Sequence, residues 1–138
     1  MRSSSLADEY VRWTATWRGG LAVDVAGGGY EYRVDEPESV GGTGTGPMPT
    51  EMLMVSLASC FCLAVAWAAG KRRVDLGELT VEVRGEQAGD EPWIGRYEIL
   101  VRSDVAKDIM APVVELGSRY CWVSNTLRNR PEISYSIA

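Results

Sequence analysis

Apolar residues alternate with polar ones at Val11, Trp13 and Ala15, again at Leu21, Val23 and Val25, and again at Tyr30, Tyr32 and Val34. A period of two is the signature of strands with one covered face. Gly19-Gly20 and Gly27-Gly28-Gly29 separate the runs, so the pattern predicts three antiparallel strands joined by tight turns. The segment Gly41-Gly42-Thr43-Gly44-Thr45-Gly46-Pro47-Met48-Pro49 is too rich in glycine and proline for regular structure. It delivers the chain to a helix that begins near Thr50.

From Met52 to Gly70, a run of 19 residues, no residue is charged. That length would span a bilayer. The run is rich in Ala, Ser and Cys rather than Leu and Ile, and it stands between soluble-looking strands. It is therefore read as a helix enclosed by sheets or by a partner subunit, and no membrane is expected. Further strands are predicted at Leu79–Val83 and Arg96–Val101, joined through residues 87–92. A second helix runs toward Tyr120 from a point after Asp104, with Pro112 in its first turn or at a kink. A helical turn after Cys121 and a last strand over Ile133–Ile137 complete the order βββ-α-ββ-α-β. Strands in blocks rather than in strict alternation with helices define an α+β fold.

Length fits a single domain over residues 1–138, with residues 1–8 expected to be flexible. The formal charge of −5 and the absence of a basic cluster argue against a nucleic-acid surface. Lys71-Arg72-Arg73 is the one basic run, and it suits the C-terminal end of the helix before it. The amino-terminal Met1-Arg2-Ser3-Ser4-Ser5 is too polar for a secretory signal, and three cysteines cannot all pair with one another. A reducing cytoplasm is the expected compartment.

The chain has no histidine, which removes Ser-His-Asp and Cys-His catalysis and every imidazole metal site. No metal and no bound cofactor are expected. The glycine-rich loop lacks the Lys-Ser or Lys-Thr of a nucleotide-binding loop, and no parallel βαβ unit frames it.

The cysteines are the remaining candidates for chemistry. Cys60 lies in the charge-free helix, where burial is expected, and Cys121 stands at an element boundary after a polar helix. Cys62 projects about 200° away from Cys60 around the helix and fits a packing role. Burial raises a thiol pKa, so a reactive Cys60 needs a cation nearby. Its own helix begins about ten residues earlier, too far for the dipole to contribute much. Lowering the thiol from about 8.5 to about 6 requires about 3.4 kcal/mol, within reach of a close guanidinium. Arg12, Arg18 and Arg33 are the candidates, with Arg18 preferred because it stands at a turn beside Trp17. Glu51 would orient the arginine, or would simply favour the positive helix end.

The run Gly-Gly-Thr-Gly-Thr-Gly-Pro-Met-Pro-Thr-Glu-Met-Leu from Gly41, the Ser-Leu-Ala-Ser-Cys-Phe ending at Phe61, and the Arg-Tyr-Cys-Trp-Val-Ser-Asn-Thr-Leu from Arg119 together resemble the OsmC/Ohr superfamily. The two cysteine motifs stand 61 positions apart, a fitting separation. The resemblance implies an intertwined homodimer with antiparallel sheets wrapped around long central helices. It implies a thiol-dependent peroxidase that reduces apolar organic hydroperoxides in oxidative stress defence, with Cys60 peroxidatic, Cys121 resolving, Arg18 activating and an external dithiol as reductant. Trp17, Phe61, Trp122 and methionines would wall the pocket.

Two positions depart from the pattern. Thr50 stands directly after Pro49, where the hydroperoxidases carry the acid, and the acid follows at Glu51. This Pro-x-Glu arrangement is more similar to the OsmC-like branch. Trp122 replaces the proline usual after the second cysteine. A non-catalytic binding or redox-sensing dimer is the competing expectation.

Overall fold

The computed structural model describes residues 12–138, so the flexibility expected of residues 1–8 and the place of Val11 in the first strand lie outside the described residues. Two compact units divide within the long helix, between Leu53 and Met54.

The first unit carries a three-stranded antiparallel sheet of β1 (Thr14–Trp17), β2 (Val23–Gly27) and β3 (Tyr30–Val34), in the order β1-β2-β3. Gly27 faces Tyr30 across the β2–β3 hairpin, leaving Gly28 and Gly29 as a two-residue loop with φ of 55° and 82°. Positive φ at both central positions defines the hairpin turn that matches strand twist, and glycine adopts it without steric cost. The loop after β3 is fastened by one side chain. Asp35 is buried, and its carboxylate accepts from the backbone N–H of Glu36 at 2.7 Å, from the N–H and hydroxyl of Thr43, and from the N–H and hydroxyl of Thr45 at 3.1 and 2.7 Å. These bonds, that of the Thr43 hydroxyl foremost and those of the Thr45 hydroxyl and amide after it, hold the Asp35 carboxyl well below the usual carboxylate range. The loop glycines allow this wrapping: a Cβ on Gly46 would stand 2.2 Å from the carbonyl oxygen of Arg33.

Helix α1 runs from Pro49 to Lys71, close to the expected start, with Glu51 in its first turn and Lys71 in its last. Within the second unit it buries Leu57, Phe61, Ala64, Val65, Ala68 and Ala69, a stripe at helical spacing. Phe61 and the residues after it in that stripe enter a core with Met110, Val113 and Cys121. The partner surface is a two-stranded antiparallel sheet, β4 (Leu79–Gln87) and β5 (Ile94–Ser103), whose Leu79, Val81, Ile99 and Val101 face that core. Its other face carries Glu82 bonded to Arg84 and Arg102. Both strands run past the predicted ends, because the pairing continues through Glu86–Arg96 and Gln87–Ile94 beyond the alternating apolar stretch.

Helix α2 (Lys107–Tyr120) and helix α3 (Trp122–Arg128) are separated by Cys121 alone. Pro112 lies inside α2, past its first turn, where it withholds an N–H from the carbonyl of Asp108. Gly117 is a point of close approach to α1: a Cβ there would lie 3.2 Å from the backbone of Ala64 and Val65.

One expected element does not form. Ile133–Ile137 alternates as a strand should, yet residues 131–138 pair with no strand and leave Ile133, Tyr135 and Ile137 exposed. Alternation makes a segment able to pair; a ladder also needs an edge to receive it. The fold is α+β, with two small antiparallel sheets and three α-helices among the described residues.

Candidate active site

The second unit brings Cys60 and Cys121 together. Cys60 packs against the core that includes Cys121, and the Cys121 thiol is near enough to push the Cys60 thiol up. Each helix contributes by simple geometry: Cys60 stands one turn before Ala64 on α1, and Cys121 one turn after Gly117 on α2, so the close approach at Gly117 holds the two sulfurs near each other. The burial expected from sequence is partly inverted. Cys60 is half-buried, and Cys121, although at the element boundary, is completely buried.

Cys121 ends α2 and precedes α3 with an extended backbone, φ −79° and ψ 104°. That break would strand carbonyls, and the polar residues after it satisfy them. Asn125 donates through its side chain to the carbonyl of Arg119 at 3.1 Å, while the Asn125 N–H and the Ser124 hydroxyl donate to the carbonyl of Cys121 at 3.0 and 3.2 Å. The turn brings the N–H groups of Val123 and Trp122 near the Cys60 sulfur, where they favour its anion.

Burial is the largest influence on Cys60 and pushes its thiol up from the ordinary value. The Val123 N–H opposes it, the neighbouring Cys121 thiol reinforces it, and the Trp122 N–H opposes it more weakly. A thiolate or a sulfenate at Cys60 would accept both amide bonds. Sequence reasoning found the two cysteines and missed these donors, because backbone groups leave no mark on residue identity. Cys62 also carries a free thiol.

Arg18 follows β1 directly and is half-exposed. Its Nε donates to Asp24 Oδ2 at 2.8 Å, and Arg33 Nε donates to the other oxygen of the same carboxylate at 2.9 Å. The two guanidiniums, Arg33 first and Arg18 second, hold the Asp24 carboxyl below its ordinary value. Glu51, expected to orient the arginine, enters no ion pair among the described residues. Asp24 was not anticipated, although the signal was present: an acidic residue in mid-strand, opposite Arg33 once the glycine turn sets the register. Arg12 is exposed.

Of the expected pocket walls, Phe61 lies in the core, while Trp17 and Trp122 are 70% and 72% exposed and enclose nothing as described. Beside Cys121, Tyr120 packs on Trp67 with ring centres 4.7 Å apart. Concavities on the charged face of β4 and β5 are lined by residues such as Arg84, Glu86, Arg96 and Glu98, not by a cysteine. No group of three or more acidic or cysteine side chains among the described residues is disposed to hold a metal ion.

A paired thiol on a charge-free helix, within an α+β fold of this order, defines a class that comparison with known proteins identifies. The profile of the family described as OsmC-like protein matches residues 42–136. The chain belongs to the OsmC-like family. A protein of uncharacterised function from Haloferax volcanii is 25% identical over 120 residues, covering 86% of this chain and 87% of its own. Among solved structures, an OsmC-like protein from Mycoplasma pneumoniae superposes with a TM-score of 0.69 at 16% identity, covering 86% of this chain and 87% of that one. An organic hydroperoxide resistance protein from Elizabethkingia anophelis, at 24% identity, superposes with a TM-score of 0.62 over 86% of this chain and 87% of that one. At these identities the solved structures establish the fold alone.

Proposed function

We propose that this protein is a thiol peroxidase that reduces organic hydroperoxides in oxidative stress defence. The proximity of the Cys60 and Cys121 thiols carries the reading. The Cys60 thiolate attacks the distal oxygen of a hydroperoxide; the S–O bond forms as the O–O bond breaks, and the alkoxide leaves and takes up a proton as an alcohol. The sulfenic acid at Cys60 is then attacked by the Cys121 sulfur, which expels the hydroxyl as water and leaves a disulfide. An external dithiol reduces that disulfide and is itself oxidised. No cofactor takes part.

The N–H groups of Trp122 and Val123 favour the anionic sulfur, and in this reading Arg18, from its own chain or a partner's, supplies the cation that the half-buried thiol needs. Glu51 contributes its charge at the start of α1. The membership of the chain in its family, together with a fold shared with organic hydroperoxide resistance proteins, supports a stress-related redox role. A homodimer in the cytoplasm is the proposed working form. Helix α1 supports this: it is apolar on all sides, yet only 28% of its most apolar stretch is buried, with Val55, Leu63 and Trp67 exposed. A helix of that kind is ordinarily covered.

The test is consumption of cumene hydroperoxide by reduced protein with a dithiol, compared with Cys60→Ser. Consumption by the native protein that is lost in the variant is the expected result. No consumption, or consumption undiminished by the substitution, removes the proposal.

The raised Cys60 thiol and Thr50 in place of an acid favour a second reading, a non-catalytic binding or redox-sensing dimer. Alkylation of Cys60 across pH separates the two. A midpoint at or above about 8.5 supports the sensor, because too little thiolate exists at neutral pH for efficient turnover.

A further inference from the structure

The two thiols of the pair differ in access. Cys121 has no exposed surface, although it sits at a break between helices. It belongs to the buried cluster that includes Phe61, Val65, Met110 and Val113. The junction that carries it is closed by the side-chain bonds of Asn125 and Ser124 to the carbonyls of Arg119 and Cys121. Cys60 packs against the same cluster without being enclosed by it, and is half-buried.

A disulfide between these residues would offer a reductant two sulfurs of unequal access. Thiol–disulfide exchange is a displacement at one chosen sulfur, and its rate depends on whether a thiolate can reach that sulfur. Attack at Cys121 has to wait for the core or the helix junction to open locally. Cys60 keeps part of its surface open, and a peroxidatic sulfur must in any case be reachable by a hydroperoxide.

We propose that the external dithiol reduces the oxidised protein by attacking the Cys60 sulfur, with Cys121 as the leaving group. The proposal rests on the reading above, in which the two thiols form a disulfide. One thiolate of the reductant bonds to the Cys60 sulfur as the Cys60–Cys121 bond breaks, and Cys121 leaves as a thiolate that takes up a proton. The second thiolate of the reductant then attacks the reductant sulfur held on Cys60, and that mixed disulfide breaks. Cys60 is released as a thiolate, the reductant leaves as a disulfide, and both cysteines end reduced.

Electronic preference runs the other way. The amides of Trp122 and Val123 favour negative charge on Cys60, which makes Cys60 the better leaving group and Cys121 the better target. Access and electronics therefore predict different first products.

The experiment uses a monothiol, 2-mercaptoethanol, which cannot carry out the second, internal attack and so marks the sulfur it met. Full-length protein is oxidised with cumene hydroperoxide, and a parallel sample with diamide, which joins thiols without a peroxidase reaction. Each is exposed to 2-mercaptoethanol for a series of short times, quenched in acid to stop exchange, digested with pepsin and mapped by mass spectrometry. Fragmentation between Cys60 and Cys62 tells those two apart. Extrapolated to zero time, the adduct is expected on Cys60, with a free thiol at Cys121, in at least about tenfold excess over the opposite pattern.

An adduct on Cys121, or an even mixture, overturns the proposal. A disulfide formed with diamide and not with hydroperoxide removes the peroxidase reading, and the diamide sample still decides which sulfur is attacked. If neither oxidant joins Cys60 to Cys121, the proposal falls.

Discussion

Gly117→Ala puts the helix crossing that holds the thiols to a test of sign. Replacing a helical glycine with alanine stabilises an unhindered helix by about 1 kcal/mol, because glycine loses more conformational freedom on folding. At Gly117 the new methyl meets three backbone atoms of α1, the carbonyl carbon and oxygen of Ala64 and the Cα of Val65, each at 3.2 Å. Backbone cannot swing aside as a flexible side chain can, so the helices must part by a few tenths of an ångström within a core that includes Val65 and Val113, both fully buried. Overpacking of this kind costs about 1–3 kcal/mol. The net expectation is a destabilisation of about 1 kcal/mol, a fall in Tm of roughly 4 °C for a chain of this size. Urea unfolding monitored by tryptophan fluorescence and by circular dichroism measures it. A second measurement follows the chemistry: disulfide formation between Cys60 and Cys121 after one equivalent of hydroperoxide slows as the crossing widens. A variant more stable than the native protein refutes the packing argument. A destabilised variant that forms its disulfide at the native rate refutes the claim that the crossing sets the distance between the sulfurs.

Other expectations follow from the same geometry. Trp122→Pro places proline at the first position of α3, where a helix tolerates it, and deletes one amide donor; the Cys60 titration moves to higher pH in alkylation while the circular dichroism spectrum is retained. Because the folded Asp35 carboxyl titrates below its unfolded range, its contribution is complete above that range and is lost as the pH falls through it; Asp35→Asn therefore flattens the acid limb of stability between about pH 5 and pH 2 in urea titrations. Val65→Ala removes two methyl groups from a fully buried site and lowers stability by about 2–3 kcal/mol in the same assay. Cys62→Ser leaves hydroperoxide consumption unchanged.

Much of this was legible in the residues, and what was not has physical reasons. The three short strands and their glycine turns follow from a period of two broken by residues that accept positive φ, and the long helix from a stretch without charge. The strand predicted over Ile133–Ile137 fails because alternation describes a segment's capacity to pair, not the presence of a partner edge. Asp24 escaped notice because its meaning depends on cross-strand register: only when Gly28-Gly29 closes the hairpin does it face Arg33 and come within reach of Arg18. Asp35 reaches Thr43 and Thr45 across eight and ten positions of irregular loop, a spacing that no periodicity announces. The two cysteines could be named as a pair, yet their burial was partly inverted, since a junction residue such as Cys121 is covered by the elements it joins.

The three residues Cys121-Trp122-Val123 carry a consequence for how this protein can change over time. One sulfur and two amide hydrogens, all acting on Cys60, come from consecutive positions at a single break between helices. An insertion or deletion there would displace the thiol and both donors in one event, whereas substitution of the Trp122 or Val123 side chain leaves the amides in place unless it brings in proline. The segment is thus free in composition and constrained in length. Divergence among descendants of this chain should accumulate at positions 122 and 123 as exchanges of side chain, and a change in the length of the junction should mark a lineage that has given up the thiol pair altogether.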